Sequence, residues 1–121
     1  MWDAQQQEVT PACRVEPSTS EDVALILGIL VKESCPFAIK SGGHSRIANS
    51  SNSNGGVTID LVRIKQVVLS EDTKTVQVGS GAVWFDVYSA LEEKDLMVVG
   101  GRVGDVGVGG LVLGGKMLKF A

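Results

Sequence analysis

The chain has 121 residues, of which 44% are apolar and 21% charged, with a formal charge of −3. That composition suits one hydrophobic core and argues against disorder, and scattered Lys and Arg offer no basic field to nucleic acid. No apolar run approaches the ~20 residues needed to cross a bilayer, and Met1 to Gln7 lacks a basic-then-apolar leader pattern, so the sequence assigns neither a membrane nor a compartment.

Residues 1–11 are polar, glutamine-rich and without period. They read as an irregular lead-in with no chemical role. Ala12 to Val15 is a short strand, and Ser18 to Asp22 supply hydroxyl caps and first-turn acids for a helix over Ser20 to Glu33. Val23, Ile26, Leu27, Leu30 and Val31 recur at helical spacing and place its apolar face against a sheet. After Pro36, Phe37 to Lys40 is a strand running into Ser41-Gly42-Gly43-His44, which completes a βαβ unit.

Ser45 to Gly56, dense in Ser, Asn and Gly, is a loop. Strands follow over Val57 to Leu61 and Gln66 to Leu69, and Thr75 to Val78 pairs with the latter across Ser70 to Lys74 as a hairpin. Trp84, Val87, Tyr88 and Leu91 define a second helix ending near Lys94, and Leu96 to Val99 reads as one more strand. From Gly100 to Gly115 there are eight glycines in sixteen residues, interleaved with Val and Leu. That mixture is too apolar for a flexible linker and implies backbone packed against something flat or against other backbone. The elements together make an α+β chain.

The lone histidine and two cysteines are too few for a zinc site. Cys13 and Cys35 are compatible with a disulfide or with two buried thiols. The acidic pairs Glu21-Asp22, Glu71-Asp72 and Glu92-Glu93 fall where caps, turns and helix ends use charge, and Asp60, at a strand end, reads as structural support for loop N–H groups. Ser41-Gly42-Gly43 after a strand can aim consecutive N–H groups at one point, as an anion nest or simply as a tight turn. The second glycine segment favours two loops approaching one extended ligand. Neither segment has the Gly-x-Gly-x-x-Gly context of a doubly wound dinucleotide site, nor a Walker lysine. His44, directly after the nest, suits either proton transfer or covalent attachment of an electrophilic cofactor.

The runs Cys35 to Ser45, Gly55 to Leu61, Val78 to Ala82 and Gly100 to Gly110 resemble, in order, the FAD-linked oxidases of the p-cresol methylhydroxylase and vanillyl-alcohol oxidase superfamily, above all the fungal berberine-bridge-enzyme-like oxidoreductases. The resemblance implies that residues 12–121 are the N-terminal part of a PCMH-type FAD-binding domain. It implies FAD held by Ser41, Gly42, Gly43, His44 and Ser45 and by Gly101, Gly104, Val106, Gly107, Gly109 and Gly110, with His44 forming an 8α-linkage to the flavin. It further implies hydride transfer from an alcohol or activated C–H carbon of a small-molecule substrate, in secondary metabolism as in fungal relatives, with oxygen regenerating the flavin.

Three departures qualify the likeness. Arg102-Val103 stands where doubly attached members carry a cysteine, which leaves His44 as the single attachment point. Gly114-Gly115-Lys116 replaces a glycine triplet, and the chain is much shorter than whole relatives, whose substrate domain it lacks. Trp2-Asp3-Ala4-Gln5 reads as an interior stretch of such a relative. The competing expectation is a non-catalytic remnant or partner-binding fragment with exposed apolar surface.

Overall fold

The computed structural model describes residues 1–115. Strands β1 (Cys13–Val15), β2 (Phe37–Lys40) and β3 (Val57–Asp60) form a parallel sheet in the order β1-β3-β2. The βαβ unit is thus present with a third strand inserted at its centre. Ile59 is opposite both Val15 and Ile39, and Asp60 opposite Lys40. Helix α2 (Ser20–Lys32) lies between β1 and β2 in sequence, and its Val23, Ile26, Leu27 and Leu30 pack with Ile59, Val57 and Val15. Val31, assigned by its spacing to the same face, is instead 68% exposed, because at i+8 it has rotated off a narrow stripe.

The start of α2 follows from the sequence. Thr19 Oγ1 accepts from the Asp22 N–H at 3.1 Å, and the Asp22 carboxylate accepts from the N–H groups of Ser18 and Thr19 at 2.9 and 3.0 Å. This reciprocal box satisfies N–H groups that the first helical turn leaves free. Those backbone bonds, first from Ser18 and then Thr19, hold the Asp22 carboxyl below the usual range.

A second core gathers under helix α3 (Trp84–Glu92), where Ala82, Trp84, Val87, Leu91 and Val108 are buried. The antiparallel hairpin β4 (Val67–Leu69) and β5 (Val76–Val78) packs against it. Leu96 and Val98 also join this core, but 96–99 has no ladder partner among the described residues, so the expected strand is an extended connection held by its side chains and by the Leu96 N–H, which donates to the Leu91 carbonyl at 3.0 Å. Within the glycine-rich stretch, Val108–Leu113 forms a short helix, α4, that propensity disfavours.

The lead-in differs most from expectation. Asp3 caps a one-turn helix, α1 (Ala4–Gln7), by accepting from the Gln5 N–H at 2.9 Å, and Gln6 is fully buried. Gln6 Nε2 donates to the Ile47 carbonyl and to Ser50 Oγ, while Asn52 Nδ2 donates to the carbonyls of Gln6 and Val9 at 2.9 and 2.8 Å. Thr58 Oγ1 then donates to Asn52 Oδ1 at 2.7 Å. The polar loop after Ser45 thus buries Ser51 to Ser53 in a network that fastens the N-terminal segment to β3; most of its polar groups find partners, with Gln6 Oε1 the exception. Cys13 and Cys35 are free thiols. Lys116 of the altered glycine triplet lies outside the described residues.

Candidate functional site

The loop after β2 and the segment after Gly100 meet directly. A Cβ on Gly42 would stand 2.3 Å from the Gly107 nitrogen, and one on Gly107 would stand 2.3 Å from the Gly42 nitrogen and 2.5 Å from Ser41 Oγ. Only hydrogen fits at either position. Ser41 Oγ reaches across to donate to the Ser80 carbonyl at 2.6 Å, which ties in the Gly79-Ser80-Gly81 break after the hairpin. Gly43 holds φ at +71°, a left-handed conformation that glycine adopts without strain.

The second segment is shaped by α3. The N–H of Trp84 donates to the Val106 carbonyl at 3.1 Å and that of Phe85 to the Gly104 carbonyl at 2.8 Å, so this backbone caps the helix. A Cβ on Gly100 would lie 2.2 Å from Trp84 Cζ3 and one on Gly101 2.5 Å from Trp84 Cδ1. The flat partner expected for these two glycines is thus the protein's own indole. Tyr88 Oη donates to the Gly101 carbonyl at 2.6 Å, and burial raises its phenol above the ordinary value.

Between the two loops runs an open cleft of about 1230 Å³. It exceeds the roughly 300–1,000 Å³ of sites for drug-sized ligands and suits a longer one. Of the residues singled out from sequence, Ser41, Gly42, Gly43, His44, Ser45, Gly101, Val106, Gly107, Gly109 and Gly110 line it. Gly104 does not; its place is the turn against Phe85, whose Cβ would be 3.3 Å from a Cβ added there. Among the described residues the N–H groups of Gly42, Gly43 and His44 donate no hydrogen bond, as an anion nest requires. A Cβ on Gly110 would meet nothing within 4 Å, so this wall faces open space, and Ile39, Val103, Leu111 and Leu113 add apolar surface.

Beneath the loop lies Asp60, fully buried. Lys40 Nζ and Arg14 Nη2 approach its Oδ2 at 2.9 and 2.8 Å, and its Oδ1 accepts from the Val62 N–H at 3.1 Å. This is the supporting role expected for Asp60, and it pins the end of β2 from which the loop departs. His44 stacks on Trp2, ring centroids 5.1 Å apart and planes 15° from parallel, while its Nε2 lies 3.1 Å from Asp105 Oδ2. The Trp2 N–H donates to the Gly43 carbonyl at 3.1 Å, and the Arg46 guanidinium lies 5.2 Å from the Trp2 ring centroid. Both Trp2 and Asp105 escaped the sequence reading. The signal that could have found Trp2 is an exposed aromatic in an otherwise polar lead-in.

A parallel sheet with a glycine loop leaving its strand end, crossed by a second glycine segment along one cleft, defines a cofactor-binding domain. Comparison with known proteins specifies which. A family model described as FAD binding domain matches residues 11–118, and the chain belongs to that family. It is 46% identical over 120 residues to the FAD-dependent monooxygenase tpcD of Cochliobolus heterostrophus, a match covering 99% of this chain and 23% of that protein. It is 42% identical over 116 residues to the FAD-dependent monooxygenase FUP4 of Fusarium proliferatum, covering 96% and 22%. The chain therefore spans less than a quarter of the length of these relatives. The fold is that of glucooligosaccharide oxidase from Acremonium strictum, with a TM-score of 0.81 at 23% identity over 93% of this chain and 24% of that one; that enzyme carries a 6-S-cysteinyl, 8α-N1-histidyl FAD.

Proposed function

We propose that the cleft holds FAD, attached through His44, and that the protein is a flavin-dependent oxidoreductase acting on an alcohol or an activated C–H carbon of a small molecule. The observation that carries this reading is the mutual contact of Gly42 and Gly107, which brings two loops with cleft-facing backbone into one wall beside His44. The free N–H groups of Gly42 to His44 suit a pyrophosphate, and Gly110 leaves room for backbone to approach it. The apolar side chains at Ile39, Val103 and Leu111 suit a flat ring. When bound, the flavin supplies the redox chemistry by accepting a hydride and passing the electrons to oxygen. Family membership and the FAD-dependent relatives support the same reading.

Single attachment is part of the proposal, because Arg102 and Val103 line the cleft where a second, cysteinyl bond would otherwise form. The test is to supply excess FAD to the purified chain, precipitate it with acid and measure flavin absorbance in the pellet. Wild type is expected to retain flavin and His44→Ala to release it. A pellet from wild type without flavin, together with unquenched flavin fluorescence before acid, would overturn the reading. Leu25, Ile29 and Phe37, exposed on α2 and β2, favour one other reading, a partner-binding fragment. Self-association in the absence of any flavin uptake would support that alternative.

A further inference from the structure

The contact between His44 Nε2 and Asp105 Oδ2 constrains the imidazole chemically. A carboxylate oxygen 3.1 Å from Nε2 favours, by its negative charge, a proton on that nitrogen over a lone pair. Stacking on Trp2 fixes the plane of the ring, and the Gly42–Gly107 contact fixes the backbone on both sides: a Cβ on Gly42 would also lie 3.3 Å from the Asp105 carbonyl. Asp105 is thus carried to His44 by the same loop junction that builds the cleft. Its carboxylate is 68% exposed and the imidazole 20%, so the pair sits at the cleft's edge with the carboxylate toward solvent.

We propose that Asp105 is a positioning residue for flavin attachment, holding His44 as the Nε2–H tautomer so that Nδ1 keeps the lone pair that bonds to the flavin. The proposal rests on the reading of His44 as the attachment point. In the step, Nδ1 forms a bond to the 8α-carbon while one C–H bond of that methyl group breaks. The carbon gives up its hydrogen as a proton, and the electron pair stays in the ring system, which is reduced by two electrons. Dioxygen then accepts those two electrons with two protons, one from the methyl carbon and one from Nε2, and leaves as hydrogen peroxide. The Asp105 carboxylate stabilises the positive imidazole ring formed on bonding and passes the Nε2 proton on toward the reduced oxygen. A carboxylate on the far nitrogen of a reacting imidazole is a general way to set its tautomer and raise its basicity.

The test uses ¹⁵N-labelled chain without added flavin, then the same chain with excess FAD, in wild type, Asp105→Asn and Asp105→Ala. In wild type the His44 spectrum should show a single neutral tautomer with an observable ring proton on Nε2. Asp105→Asn, which keeps an acceptor oxygen, should retain it, and Asp105→Ala should show averaged tautomers and lose the ring proton to solvent exchange. The rate of covalent flavin formation should fall roughly 10- to 100-fold in Asp105→Ala and less in Asp105→Asn, with reversible FAD affinity unchanged in both. A proton on Nδ1 in wild type, or attachment at the wild-type rate in Asp105→Ala, overturns the assignment. Failure of wild type to take up flavin would instead refute the cofactor reading, and the flavin-free spectra would decide the role of Asp105 by themselves.

Discussion

Replacing Gly107 by alanine isolates the loop junction from the rest of the fold. The added Cβ would lie 2.3 Å from the Gly42 nitrogen, where ordinary contact begins at 3.4 Å, so the two loops must part by about 1.1 Å. The Gly42 nitrogen and the Gly42 Cα, 2.9 Å from the added Cβ, are backbone atoms that cannot swing aside, and the Ser41 hydroxyl at 2.5 Å blocks the sideways escape. Overpacking of this kind costs about 1–3 kcal/mol. Gly28 and Gly110 provide the controls, because a Cβ at either meets nothing within 4 Å. Both lie in helices, α2 and α4, where alanine is favoured over glycine by about 1 kcal/mol. Urea denaturation followed by tryptophan fluorescence should therefore rank Gly107→Ala below wild type and Gly28→Ala above it. Flavin uptake separates the variants differently. Gly28→Ala should bind FAD like wild type, whereas Gly110→Ala should gain stability in the same way and yet lose affinity, since its methyl group enters the cleft. Equal stability of Gly107→Ala and Gly28→Ala would refute the close approach, and unimpaired FAD binding by Gly110→Ala would refute the placement of the cofactor.

Thr19→Ala should cost about 1 kcal/mol by removing the acceptor for the Asp22 N–H, read as a shifted denaturation midpoint. Because the folded Asp22 carboxyl is held low by N–H groups of Ser18 and Thr19, its contribution is fully present above the ordinary value of about 3.9 and is lost as pH falls through its lower folded value. An Asp22→Asn chain should accordingly show a flatter stability profile below pH 4 or so. Tyr88 is the single tyrosine, so its titration can be followed by ultraviolet absorbance. Its midpoint should lie above about 10, and the stability from its burial should be intact below that value and disappear as pH rises through the folded midpoint. Tyr88→Phe should cost about 1 kcal/mol by leaving the Gly101 carbonyl without its donor. Lys40→Met should destabilise the chain by up to about 3 kcal/mol, because Asp60 would retain only Arg14 as a charged partner.

The elements with local signals were legible in the sequence. Thr19 and Asp22 mark the start of α2, Trp84 through Leu91 keep helical spacing, and the turn between Ser70 and Thr75 returns β5 onto β4. What escaped depends on contacts distant in sequence. No local pattern tells that β3 inserts between β1 and β2, or that Gln6, a polar residue in a polar run, is buried by the carbonyl of Ile47 and the hydroxyl of Ser50. Helix α4 was hidden because Gly109 and Gly110 lower its propensity, although Val108 and Leu111 carry the spacing of a buried face. Leu96 to Val99 misled in the opposite sense, since an apolar run reports burial and only a ladder partner makes it a strand. At the site, the glycines were found by composition, but their reasons divide. Gly42 and Gly107 serve each other, Gly100 and Gly101 serve Trp84, Gly109 packs against the Ser80 carbonyl, and Gly110 remains for a ligand. His44 stood out by its place after the nest, while Trp2 and Asp105 are neighbours only in space.

Peptide mapping of the flavin-loaded chain reaches the central claim most directly. After incubation with excess FAD, acid precipitation and proteolysis, mass spectrometry should find one flavin-bearing peptide, the one that contains His44, with the peptides spanning Arg102 and Val103 unmodified. A flavin on any peptide without His44, or no flavin on any peptide from wild type, would contradict it.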